Sequence, residues 1–130
     1  MSGRPNFFRI EPDGPDGSGL PPTVHDPSDT PVVGATSPQS HTAFVDVTTC
    51  FTAGVWACNA GTLEIRNLAI DEACYLIEGV VVVTDHLGNS ATFHAGDAFV
   101  LPRGFSGTWH MPTAIKKYNA MHTPEGGLRP

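Results

Sequence analysis

The sequence predicts an all-β domain, a sandwich or barrel, and three observations carry that reading. Fourteen glycines and twelve prolines punctuate 130 residues. The apolar runs between them are short and rich in β-branched and aromatic residues, as strands require. Apolar spacing never settles at the 3.6-residue period of a helix. The length suits one domain with a real core and is short for two.

Composition narrows the partners. Charged residues make up 15% of the chain and the net charge is −6. There is no basic footprint, so neither nucleic acid nor an anionic membrane is an expected partner. No apolar run approaches the roughly 20 residues of a spanning helix. The N-terminus shows no charged region followed by an apolar one, which leaves the cytoplasm as the expected location. Cys50, Cys58 and Cys74 are odd in number and form no close pair. A disulfide framework and a structural zinc site are both disfavoured, and buried free thiols are expected.

Taken in order, residues 1–40 hold eight of the twelve prolines and the run Asp13-Gly14-Pro15-Asp16-Gly17-Ser18-Gly19. They read as an extended arm with local turns. No helix follows that glycine-rich run, so it does not read as a phosphate-binding loop. Asn6-Phe7-Phe8-Arg9-Ile10 is apolar enough to add a strand to a sheet edge, its own or a neighbour's; the alternative is a frayed terminus. The domain proper is expected over 41–123. Its strands read as 41–51, 54–58, 62–70, 74–83, 91–94, 97–101, 108–111 and 115–121, and 124–130 forms a tail. The Cys74–Val83 stretch is apolar on both faces. One face can line a barrel, and the other needs a second sheet or a partner subunit, which makes a homodimer the expected assembly.

Two glycine-ended blocks carry a resemblance. Glu72, six residues, then Gly79 is similar to the end of the first conserved motif of the cupin superfamily. Gly96, five residues, then Pro102-Arg103-Gly104 is similar to the start of the second. With Gly54-Val55-Trp56, Gly107-Thr108-Trp109 and Lys116-Lys117-Tyr118, the stretch 44–122 resembles the small cupins related to the ureidoglycine aminohydrolase domain and the ethanolamine-utilisation cupin. The resemblance implies a double-stranded β-helix, a jelly-roll barrel, commonly dimeric, with a small-molecule pocket inside.

Departures from that pattern bear on cofactors. A metal-binding cupin carries His-x-His shortly before the glutamate and a further histidine after Pro-x-Gly. Those positions fall here on Ile65 and Asn67, or on Arg66 and Leu68, and on Gly107. Ala57 stands where relatives often have another carboxylate. Only Glu72 remains of the set. Imidazole is the usual ligand for borderline metals, so a motif-encoded metal site is not expected. His41, His94, His110 and His122 do not pair at ligand spacing. A divalent metal held by non-motif residues stays an alternative.

Glu72 is the leading candidate for catalysis. The resemblance points its side chain into the barrel, where apolar walls would raise its pKa and equip it as general acid or base. Lys116 occupies a matching position on the last strand; it is expected to pair with Glu72 or to bind a substrate carboxylate, or else to snorkel at the surface. A structural carboxylate, neutralised by Lys116 or hydrogen-bonded to a tyrosine, is the competing reading of Glu72. Substrate-binding candidates are Trp56 and Trp109 as pocket walls, Asn67 at a former ligand position, Phe105 at the mouth, and His110 beside Trp109. Cys74 shares the face of Glu72 but has no histidine beside it in sequence to activate it.

The function expected is that of a small-molecule enzyme, a lyase, isomerase or hydrolase. It would act through buried Glu72 on a small polar or carboxylated substrate without a histidine-held metal. A non-catalytic binding or sensor cupin is the first alternative, and a metal-dependent cupin with non-standard ligands the second. Glu72→Gln is expected to abolish turnover with little change in melting temperature.

Overall fold

The computed structural model describes residues 6–124. Ten strands follow a single 3-10 turn at Pro15–Gly17: β1 (Asp29–Val33), β2 (Gln39–Val45), β3 (Phe51–Cys58), β4 (Gly61–Ile65), β5 (Asp71–Glu78), β6 (Val80–Asp85), β7 (Ser90–His94), β8 (Ala98–Leu101), β9 (Gly107–Met111) and β10 (Ile115–His122). They form two five-stranded antiparallel sheets, ordered β1-β4-β9-β6-β7 and β2-β3-β10-β5-β8. The architecture is the double-sheet jelly roll that the sequence predicts. Residues 125–130, most of the expected tail, lie outside the described residues.

Strict alternation builds the interior. Along β5, Glu72, Cys74 and Leu76 are buried while Ala73 and Tyr75 are exposed. Val81 and Val83 of β6 and Trp109 and Met111 of β9 point the same way from the opposite sheet. Side chains two apart share a face, so each strand contributes one apolar row to the core. The 74–83 stretch, read from sequence as one strand, is two. Gly79, at φ 83, carries the chain from one sheet to the other, and a Cβ there would overlap the Ala114 carbonyl oxygen.

Three boundaries differ from expectation, each for a local reason. Asp46-Val47-Thr48-Thr49 is rich in β-branched residues yet forms a turn between β2 and β3. Asp46 holds it, accepting bonds from Thr48 Oγ1 at 2.6 Å and the Phe51 amide at 3.0 Å. The expected 62–70 strand stops at Ile65, and Asn67 adopts a left-handed backbone at φ 49 in the crossover that follows. Most consequential is the arm. Strand pairing begins at Asp29, well before position 41, because β1 pairs with β4. As an edge strand, β1 tolerates Pro31, whose missing N–H costs no ladder bond on the open side. Asn6–Ile10 forms no strand within the chain; Phe8 packs instead on Phe44 of β2, with ring centres 4.8 Å apart.

Candidate functional site

A cavity of about 220 Å³ opens into the barrel. Its floor is a buried ion pair. Glu72 of β5 accepts from Lys117 Nζ at 2.7 Å and from Asn119 Nδ2 at 3.3 Å. The strand register explains the meeting. Lys117 lies opposite Leu76 and Met121 opposite Glu72, so the long lysine chain reaches along the sheet to the carboxylate. Trp56 and Trp109 hold the ammonium between them, their ring centres 4.8 and 4.4 Å from Nζ. The two indoles meet edge to face at 6.3 Å. Such cation–π contacts strengthen when desolvated, to about 2 kcal/mol.

Both members of the pair are charged. Burial alone would raise the Glu72 carboxyl, but the Lys117 ammonium outweighs it and holds the group below the usual carboxylate range. Burial would lower Lys117, yet Cys74 and Glu72 beside it raise the ammonium above its ordinary value. Glu72 is therefore not the pKa-raised acid that apolar walls alone would make it. Cys74 behaves oppositely: burial pushes its thiol up to about 12, which leaves it protonated and a poor nucleophile.

The cavity has a second wall from the proline-rich segment. Thr23, Val24, Asp26 and Asp29 line it. Asp26 is exposed at the mouth, and desolvation against the cavity, followed by the charge of Glu72, raises its carboxyl. Asp29 is half-buried; desolvation and then Asp26 push it up to about 6, against weaker lowering by Lys117.

Of the catalytic and substrate-binding candidates from sequence, Glu72, Trp56 and Trp109 line this cavity, and so do His41 and the motif positions Ile65 and Leu68. The remaining candidates lie elsewhere. Lys116 does not meet Glu72: it faces outward and pairs with Asp13 at 2.6 Å and Glu78 at 3.4 Å. Its neighbour Lys117 makes the internal contact, because adjacent strand residues point to opposite faces. Asn67 is exposed in the crossover, where its backbone N–H donates to Ser106 Oγ at 2.8 Å. His110 is exposed and bonds Thr62 Oγ1 through Nδ1 at 2.7 Å. Phe105 is half-buried against the core and does not line the cavity.

Lys117, Asn119, Asp26 and Asp29 were not legible as site residues from the resemblance. A signal for the first two does exist. Ile115 and Met121 are apolar at even spacing with Lys117 and Asn119, so one inward face should hold all four. Nothing in the proline-rich segment marks the two aspartates.

A cupin-type metal does not fit these residues. Among the described residues no group of three His, Cys, Asp or Glu side chains is placed to hold an ion. The glutamate carboxylate is committed to Lys117. At Gly107, the last motif position, a Cβ would overlap the Thr84 carbonyl and crowd Phe105, so no histidine fits there.

Comparison with solved structures agrees with the architecture. A protein of unknown function of the DUF861 family from Pseudomonas syringae pv. tomato is 28% identical with a TM-score of 0.68, covering 78% of this chain. This chain spans only 43% of that protein's length. EutQ of Clostridium difficile is 15% identical at a TM-score of 0.59, with 68% of this chain and 70% of that one covered. Ectoine synthase from P. lautus is 17% identical at 0.59, with 69% and 67% covered. No curated protein matches the chain. The EutQ-like cupin domain model matches residues 46–118. With the jelly roll and the retained glutamate, that match places this chain in the family of EutQ-like cupin domains.

Proposed function

We propose that this cupin binds a small polar molecule in the barrel cavity and acts on it at the Glu72–Lys117 pair, without a histidine-held metal. The observation that carries this is a fully formed, buried ion pair on the wall of a cavity. A buried pair is weak evidence for stability, since apolar residues of similar volume commonly do as well. Its position at a pocket favours use. Lys117 supplies a fixed positive charge for a substrate carboxylate or a developing oxyanion. Glu72, ionised, accepts a proton or a hydrogen bond from the substrate. That division of labour suits elimination, isomerisation or hydrolysis of a small carboxylated or carbonyl-containing molecule.

A specific observation also favours pure binding. Glu72 is held ionised and Lys117 protonated, so neither is poised near neutrality for proton exchange. One experiment separates the readings. The protein is incubated with a cellular metabolite extract and followed by mass spectrometry, beside a Glu72→Gln/Lys117→Met double variant. Catalysis consumes a metabolite and accumulates its product in the wild type alone. Retention of a metabolite without conversion supports the sensor reading, and stoichiometric metal surviving dialysis would overturn metal independence.

The outer face of β5 supports a homodimer. Tyr75 is 46% exposed and stacks on Tyr118 at 6.2 Å, and Val100 on adjacent β8 is 61% exposed. A second copy of this chain is the expected cover. Light scattering at micromolar concentration should give twice the monomer mass.

A further inference from the structure

The cavity holds more negative charge than its own lysine can answer. Three carboxylates, Asp26, Asp29 and Glu72, share it with one ammonium and the imidazole of His41. Lys117 is committed to Glu72 at 2.7 Å, and neither aspartate makes an ion pair among the described residues. Asp29 is half-buried, and an ionised carboxylate held partly out of water with no cation beside it is unfavourable. A second, independent irregularity lies on the same cavity. Trp109 is 2% exposed, and its indole N–H has no hydrogen-bond partner. Buried donors are nearly always satisfied, and this orphan belongs to a cavity-lining side chain and calls for an acceptor that the described residues do not supply.

These observations describe a ligand by its complement: positive where the aspartates sit, and bearing an oxygen or similar acceptor where the indole N–H sits. We propose that the molecule bound in this cavity is a small organic cation, a protonated amine in its simplest form. Asp26 and Asp29 receive its ammonium at the mouth, and an acceptor atom faces Trp109 Nε1. The inference rests on the reading of this cavity as the binding site and specifies its ligand class. An ammonium donates in three directions and so serves two carboxylates at once, whereas a metal ion would need a coordination sphere that these side chains do not form. Lys117 already sits over one face of each of Trp56 and Trp109, and the aspartates supply the attraction for a second positive charge.

The test is a charge series of one size. 4-Amino-1-butanol, 1,4-butanediol and 4-hydroxybutyrate are titrated into ¹⁵N-labelled protein, with the two tryptophan indole N–H signals as reporters. The ammonium compound should bind at least tenfold more tightly than the diol and move the Trp109 signal. Asp26→Asn/Asp29→Asn should weaken it tenfold or more while remaining folded, and Asp13→Asn, outside the cavity, should leave it unchanged. Tightest binding of the anion, or an ammonium affinity untouched by the double substitution, overturns the inference. If the diol or the anion moves the indole signals and the amine does not, the cavity remains a site and only the cation is wrong. If none of the three moves them, both readings fall.

Discussion

The barrel interior has two regions built on opposite terms. Around Leu76, Val81 and Met111, at most 1% exposed, apolar side chains from both sheets fill the space. Phe93 stacks on Phe99 at 4.0 Å, and Phe99 reaches Trp109 at 5.8 Å. Around Glu72 the same alternating strands place an ion pair, two indoles and an open cavity. The periodicity is identical and only the residue types differ. One region is stabilised by packing and the other spends stability on charge, which is the usual compromise of a site.

The ion pair offers the largest break in that comparison. Removing one partner strands a buried charge, so Glu72→Gln or Lys117→Met alone should cost about 3–5 kcal/mol in urea unfolding. The expectation of an unchanged melting temperature for Glu72→Gln ignores Lys117. Glu72→Gln with Lys117→Met should recover most of the loss, and if the double variant is no more stable than the singles, the two residues are not coupled. In the packed region, Leu76→Ala should cost about 3 kcal/mol through transfer and cavity terms, with no rescue by a charge change nearby.

Asp29 should act in the opposite sense. Its carboxyl is raised from 3.8 to about 6 in the folded chain, by desolvation and then Asp26. The folded state therefore holds its proton to higher pH than the unfolded state. Its contribution makes stability fall as pH climbs from about 4 to about 6, after which the loss is complete. Asp26, Glu72 and Lys117 face the same space and share in the effect. Glu72 works in a separate window: its lowered pKa gives stability that disappears as pH drops through the folded value, below 4.5. Asp29→Asn should raise stability at pH 7 by about 1–2 kcal/mol, after discounting for partial exposure, and leave pH 4 nearly unaffected. Equal urea midpoints for the two proteins at pH 7 would show that Asp29 carries no such burden. The smallest effect belongs to Lys116. Its partners Asp13 and Glu78 are exposed, so Lys116→Ala should change stability by about 1 kcal/mol or less.

Much of this molecule was readable before any coordinates. Strand alternation, glycine punctuation and the Glu72–Gly79 and Gly96–Gly104 blocks specify the jelly roll, because a period of two and tight turns are local properties. Glu72, Trp56 and Trp109 follow as inward residues by the same rule. Lys116 shows where a matched position misleads. Family spacing pointed to the first lysine of the pair, while alternation from Ile115 to Met121 selects the second.

The rest depends on contacts between segments distant in sequence. Asp26 and Asp29 enter the site because β1 joins the sheet edge beside β4, a pairing that proline-rich composition conceals. The charge state of Glu72 is likewise not its own property. The sequence by itself determined a cupin barrel with an inward glutamate and no histidine set around it. Tertiary structure alone decided that this glutamate stays ionised, because it sets the Lys117 ammonium 2.7 Å from the carboxylate. Electrostatic energy depends on distance and burial, and neither is defined until the strands have paired.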